Sequence, residues 1–163
     1  MKKIVLVVLF FSAVVNAQIF TGKGDQKFQV GANLQDHGTG VVLTYDYGLG
    51  TNFSVGVVTG YLLGIEKVAG EKPDFIDRYD LKARFNANIA DVFGIEDKFD
   101  VYPGLSLSLK NFGGHIGTRY FFTEGFGVFA EAQFPIASYD SDVVGWEKYN
   151  NQFNFSIGAS FNL

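Results

Sequence analysis

The stretch Arg78-Tyr79-Asp80-Leu81-Lys82-Ala83-Arg84-Phe85-Asn86-Ala87-Asn88-Ile89 decides the fold, because its side chains change character at every step. Tyr79, Leu81, Ala83, Phe85, Ala87 and Ile89 make one oily row, while Arg78, Asp80, Lys82, Arg84, Asn86 and Asn88 make the other. Successive side chains of a strand point to opposite faces, so a period of two predicts a β-strand with one apolar and one polar face. The charged row has to be kept away from whatever the oily row touches.

The same alternation recurs on both sides of this stretch. Before it come Phe28, Val30, Ala32 and Leu34; then Val41, Leu43, Tyr45 and Tyr47; then Phe53, Val55, Val57, Thr59 and Tyr61. After it come Val101, Pro103, Leu105, Leu107 and Leu109; Ile116, Thr118, Tyr120 and Phe122; Phe126, Val128, Ala130, Ala132 and Phe134; and finally Phe153, Phe155, Ile157, Ala159, Phe161 and Leu163. The opposite rows are mostly Gly, Ser, Asn and Thr. Eight strands of about 9–11 residues, the length that a tilted strand needs to cross a bilayer, account for nearly all of the chain after residue 17. A soluble sandwich would bury the aliphatic face and spread charge over the other. Small inward side chains suit instead the narrow interior of an eight-strand barrel. The expected fold is all-β: an eight-stranded antiparallel up-and-down transmembrane β-barrel. Tyr47 and Phe53 at one turn, and Tyr120, Phe122 and Phe126 at another, fit an interfacial aromatic girdle.

Connections alternate between short and long. Residues 48 to 52 and 123 to 125 read as tight turns, and residues 65 to 76 and 135 to 151 as long polar loops. With an even strand count the long loops share one side, expected to be extracellular, and both termini are then periplasmic. Residues 90 to 98 form a connection that is long for the periplasmic side and has room for one helical turn.

Composition agrees with a membrane protein. Aromatic residues reach 17% and charged residues only 18%, against roughly 25% charged in an average soluble domain. Gly is raised at 20 and Pro stands at 3, which with a mean hydropathy of +0.12 excludes disordered and collagen-like chains. The absence of Cys removes disulfide, thiol and zinc-knuckle chemistry. Gly22-x-Gly24 and Gly48-x-Gly50 open no helix after a strand, so neither is a nucleotide fingerprint. No cofactor or metal is expected.

Residues 1 to 17 read as a cleaved signal peptide. Lys2 and Lys3 precede an apolar run broken only by Ser12, and Val15-Asn16-Ala17 places small residues before the expected cut at Gln18. The run is too short to span a bilayer as a helix. Cleavage leaves residues 18 to 163 as the barrel, with 11 basic and 17 acidic side chains, a net charge of −6. Such an acidic exported chain is a poor nucleic-acid binder.

The leader, the eight alternating strands and a last strand, 153 to 163, that ends on an outward hydrophobic residue resemble the small outer-membrane barrels of the OmpX and OmpA-transmembrane type. Gly117-Thr118-Arg119-Tyr120-Phe121-Phe122 followed by Phe126-Gly127-Val128-Phe129-Ala130-Glu131 is similar to the hairpin of strands six and seven in that group. The resemblance covers the whole chain after the leader and implies architecture, not activity. It implies outer-membrane lipid as the surroundings and recognition of the last strand by the barrel-assembly machinery. This chain ends in Leu163 where Phe is commonest, with Phe155 and Phe161 keeping the aromatic character.

Inward positions by parity hold Asp46, Asp80, Lys82, Arg84, Arg119 and Glu131, three acidic and three basic. With Phe122 opposite Phe126, Glu131 faces Gly117 and lies diagonal to Arg119, within reach of long side chains. Arg84, Arg119 and Glu131 are thus expected to close the lumen, since a buried charge is costly unless paired; the alternative is that lumen water solvates them. Function reads as a non-enzymatic, envelope-structural or surface-interaction role. The alternatives are a narrow porin-like channel and a lipid A-modifying enzyme. The last would need a histidine with a hydroxyl and an acid: His37 lies beside Asp36, and His115 lies toward the outer end of its strand with Ser108 as a candidate neighbour, but no His-x-Ser triplet occurs. Both histidines read as ordinary rim residues. The loop around Tyr139, Asp140, Asp142, Trp146 and Tyr149 offers aromatic and acidic contacts for an external partner, and its spacing matches no EF-hand.

Overall fold

A computed structural model of the chain describes residues 20–65, 73–90, 98–139, 149 and 151–163. The expected leader (1 to 17), most of the 90 to 98 connection, and loop residues Asp140, Asp142 and Trp146 lie outside the described residues.

Eight strands follow one another: β1 Gln26–Gln35, β2 Gly38–Gly48, β3 Phe53–Ile65, β4 Tyr79–Ala87, β5 Phe99–Ser108, β6 Asn111–Phe121, β7 Phe126–Ser138 and β8 Asn154–Asn162. Each pairs antiparallel with its neighbours, and β8 returns to β1, from Lys27↔Asn162 to Gln35↔Asn154, so the sheet is a closed barrel. The fold is all-β, as expected. Closure leaves no edge strand, the condition for a sheet to stand in lipid, where unpaired backbone groups find no water. Among the described residues no helix is long and apolar enough to cross a membrane.

The predicted faces are the observed ones. Along β2 burial alternates without a break from Gly38 to Gly48, with Val41, Leu43, Tyr45 and Tyr47 outward and Val42, Thr44 and Asp46 buried inside. The outer wall exposes large apolar side chains on every strand, a surface that soluble monomers rarely present. It carries an aromatic band at each end. At the end where β1 starts and β8 finishes, Phe28, Phe161, Phe126, Phe122 and Tyr120 touch in series at centroid distances of 5.3–6.4 Å. At the far end the band is Tyr61, Phe75 and Tyr79. A closed eight-stranded barrel of this kind is typical of outer-membrane proteins.

Turn chemistry sets the register. Leu49 and Phe122 donate backbone hydrogen bonds to Phe53 and Phe126, closing the two tight turns at the end where β1 starts. At the far end His37 takes the left-handed conformation, φ 56°, between β1 and β2. Between β5 and β6 the Ser108 hydroxyl accepts the backbone N–H groups of Lys110 and Asn111 at 3.0 and 3.1 Å.

Two expected loops begin later than the sequence indicated. β3 runs on to Ile65 and β7 past Pro135 to Ser138, 13 residues each. In each case one extra residue is accommodated by a bulge: Leu63 between the pairs Gly40↔Leu62 and Thr39↔Gly64, and Ile136 between Gly113↔Pro135 and Phe112↔Ala137. Pro135 lacks an N–H, and it is tolerated here because β7 pairs with β8 only as far as Gln133. The loop between β3 and β4 ends in a single helical turn, α1, Phe75–Arg78.

Candidate functional site: a charge network in the barrel lumen

Inward residues on neighbouring strands are arranged as large, glycine, large. Gly56 of β3 is paired with Asp46 on one side and Arg84 on the other. Gly117 of β6 stands between Tyr102 and Glu131, and Gly104 of β5 between His115 and Asn86. A side chain at Gly117 would strike the Tyr102 ring, with its Cβ 2.1 Å from the nearest ring atom. Glycine therefore provides the space in which two long side chains from strands that are not neighbours meet over the strand between them.

Asp46 is the hub. Both of its carboxylate oxygens receive Arg84, with Nε to Oδ1 at 2.6 Å and Nη2 to Oδ2, and Arg119 Nη2 also reaches Oδ2. Arg84 extends further, donating from Nη1 to Glu131 Oε2 at 2.8 Å and from Nη2 to Gln29 Oε1 at 3.2 Å. Arg119 donates from Nη1 to Asp100 Oδ2 at 3.3 Å. Tyr102 lies against both cations, with the Arg119 guanidinium carbon 3.8 Å and that of Arg84 5.6 Å from its ring centroid. Its hydroxyl accepts from Gln29 at 3.3 Å. The side chains of Asp46, Arg84, Asp100, Arg119 and Glu131 are all at most 3% exposed.

The network has neighbours at both ends. Toward the end where β1 starts, Lys27 pairs with Asp25 and its ammonium sits 5.9 Å from the centroids of both Phe20 and Phe121. Asp25 also accepts from the backbone and hydroxyl of Thr21, so the segment ahead of β1 folds across the barrel mouth. Toward the far end, Gln133 bridges Glu131 (2.7 Å) and Lys82 (3.2 Å), and Lys82 pairs with Asp80 at 3.4 Å. Here the lumen opens into a cleft lined by Asn33, Arg78, Asp80, Lys82, Gln133 and Asn154, with about 40 Å³ for water centres.

The six expected lumen residues are therefore placed inside the barrel, though not all in the expected pairs. Arg84 meets Glu131, whereas Arg119 turns away from Glu131 toward Asp46 and Asp100. Asp80 and Lys82 form a separate pair at the cleft. Sequence reading missed Lys27, Asp100 and Tyr102. The first two stand on the inward parity at the extreme ends of their strands, and Asp100 is the direct cross-strand partner of Arg119. His115 is not a rim residue: it is 3% exposed inside the barrel, with Nε2 2.8 Å from Asn86 Oδ1. Ser108, its candidate hydroxyl partner, is engaged in the β5–β6 turn. His37 stands exposed at the rim beside Asp36. Of the loop aromatics, Tyr139 is exposed while Tyr149 is buried, its carbonyl accepting from Gln35 at 2.6 Å.

Chemically this arrangement balances most of the buried charge. Among the described residues, five acids facing the lumen (Asp25, Asp46, Asp80, Asp100, Glu131) each pair with one or more of four bases (Lys27, Lys82, Arg84, Arg119), which leaves one negative charge in excess. Among the described residues no three His, Cys, Asp or Glu side chains are grouped to hold a metal ion.

Comparison of the chain with curated proteins and with solved structures returned no match. A family model does match, over residues 9–163, which takes in every strand of the barrel and every residue of the lumen network, and the chain belongs to that family, described as a family of unknown function (DUF6646).

Proposed function

We propose that this protein is a small outer-membrane barrel with a plugged lumen, exported through its leader, without enzymatic activity, and serving an envelope-structural or surface-interaction role. The observation that carries this reading is the Arg84–Asp46–Arg119 hub, buried across the lumen and flanked by Tyr102. A solute would have to break several charge-assisted hydrogen bonds, each roughly twice as strong as a neutral one. The expected result in planar bilayers is therefore no steady conductance, and stepwise, salt-dependent currents from the refolded protein would overturn the plug.

The outward Phe155, Ile157 and Phe161 of β8 would be what the barrel-assembly machinery reads in the last strand, and the apolar wall would contact outer-membrane lipid. For the non-enzymatic part, the bearing residue is His115, which is buried inside the barrel with its ring against Asn86 and Tyr102. His37→Ala and His115→Ala strains should give lipid A mass spectra that match those of the wild type. Loss of a modified lipid A species in either strain would make the protein an enzyme.

A further inference from the structure

The turn α1 has only four residues, too few to be stable alone, yet it is held at both ends. Asp74 and Asp77 form a reciprocal capping box, with the Asp74 N–H donating to Asp77 Oδ2 at 3.0 Å. At the other end the Lys110 ammonium, reaching over from the β5–β6 turn, donates to the carbonyls of Ile76 (2.7 Å), Asp77 (3.4 Å) and Tyr79 (2.7 Å). This strap has a structural reason. β4 and β5 are paired only from Lys82↔Ser108 to Asn86↔Gly104, so the upper part of β4 has no partner strand on that side.

What α1 displays is apolar. Phe75 packs on the outward rings of Tyr61 and Tyr79, at 5.4 and 5.5 Å, so this face of the turn lies against the outer wall of the barrel, while Arg78 at its end lines the lumen cleft. Phe75 and Ile76 remain 64% and 65% exposed, and Leu109, next to the strapping lysine, is 97% exposed. This patch continues the apolar outer wall through Tyr61 and Tyr79. Backbone carbonyls on such a surface cannot rely on water, and the ammonium satisfies them internally. Partial burial holds Lys110 below the ordinary lysine value, in keeping with its half-buried place beneath the turn.

We propose that α1, with Leu109, is a lipid-interface anchor: Phe75, Ile76 and Leu109 insert among the acyl chains of the bilayer leaflet at the far end, and Lys110 locks the turn in that pose. The proposal rests on the membrane reading of the barrel. Its test uses the full barrel carrying Trp146→Phe, so that Ile76→Trp is the single reporter, refolded into phosphatidylcholine vesicles. The expected emission is blue-shifted, and about half or more is lost to lipids brominated near the ester end of the chain, since an interfacial apolar face sits roughly 5–10 Å into the headgroup boundary. Little should be lost to aqueous iodide. Ready quenching by iodide with none by bromine would overturn the anchor. Val57→Trp, on the outer wall of β3, is the control: if it too escapes bromine the membrane reading falls, and if it alone is quenched only the anchor falls. Should Ile76→Trp fail to refold, Leu109→Trp reports on the same patch with the same two outcomes.

Discussion

Replacing Asp46 with alanine is expected to lower the unfolding free energy of the folded barrel by about 3–5 kcal/mol, the cost of leaving a buried charge without its partner. The expectation follows from the position of Asp46. It receives two guanidiniums, from β4 and β6, and among the described residues no other carboxylate pairs with both. In Asp46→Ala, Arg84 keeps Glu131 and Arg119 keeps Asp100, but two like charges are left facing a vacated volume in a confined lumen. Asp80→Ala is the contrast. Asp80 pairs with Lys82 across 3.4 Å at the edge of the cleft, so its loss should cost less than about 1 kcal/mol. Urea titration in vesicles, read as the folded fraction on unboiled gels, measures both. If the two variants lose the same small amount, the network is hydrated and its charges are screened, and the plug loses its energetic basis.

The difference between these two acids could not have been read from the sequence. The period of two placed Asp46 and Asp80 on the same inward face, and along β2 that placement is unbroken from Gly38 to Gly48. Local turn chemistry also made one seam legible, since Phe122 opposite Phe126 puts Glu131 across from Gly117. Contacts across the lumen are another matter. They depend on the stagger of eight strands around the barrel, a property of closure that no local pattern carries. Arg119 therefore looked diagonal to Glu131, twelve residues away, when it reaches Asp46, 73 residues away. Strand ends escaped for a simpler reason: parity is counted within a run of alternation, and Lys27 and Asp100 stand where the run begins. α1 is too short to show a helical period. The bulges at Leu63 and Ile136 shift the alternation by one residue, so β3 and β7 read as ending early.

Closure itself depends on a feature that composition only hinted at. At the middle of the β1–β8 seam Gly31 faces Gly158, and the Phe129 ring of β7 packs beside them with Val42 and Val58 in the buried apolar cluster of the lumen. A Cβ on Gly158 would lie 2.1 Å from the Val30 carbonyl oxygen and 2.4 Å from the Gly31 Cα, and one on Gly31 would lie 2.5 Å from the Ile157 carbonyl oxygen and 2.9 Å from Phe129 Cζ. Most of these obstacles are backbone atoms of the partner strand, so no rotamer change relieves them. Gly158→Val should therefore push β1 and β8 apart at the one seam that turns a sheet into a barrel. Overpacking alone costs about 1–3 kcal/mol. The larger penalty is the parted ladder, because each backbone group left unpaired in lipid costs several kcal/mol more. We expect Gly158→Val to give no heat-modifiable folded band in vesicles. Gly125→Val, at a turn glycine with nothing within 4 Å of a new Cβ, should fold within about 0.5 kcal/mol of wild type. Wild-type folding of Gly158→Val would mean that β1 and β8 are not held at this spacing. The stagger that brings Asp46 to Arg119 would then be open to doubt as well, since the same closure sets both.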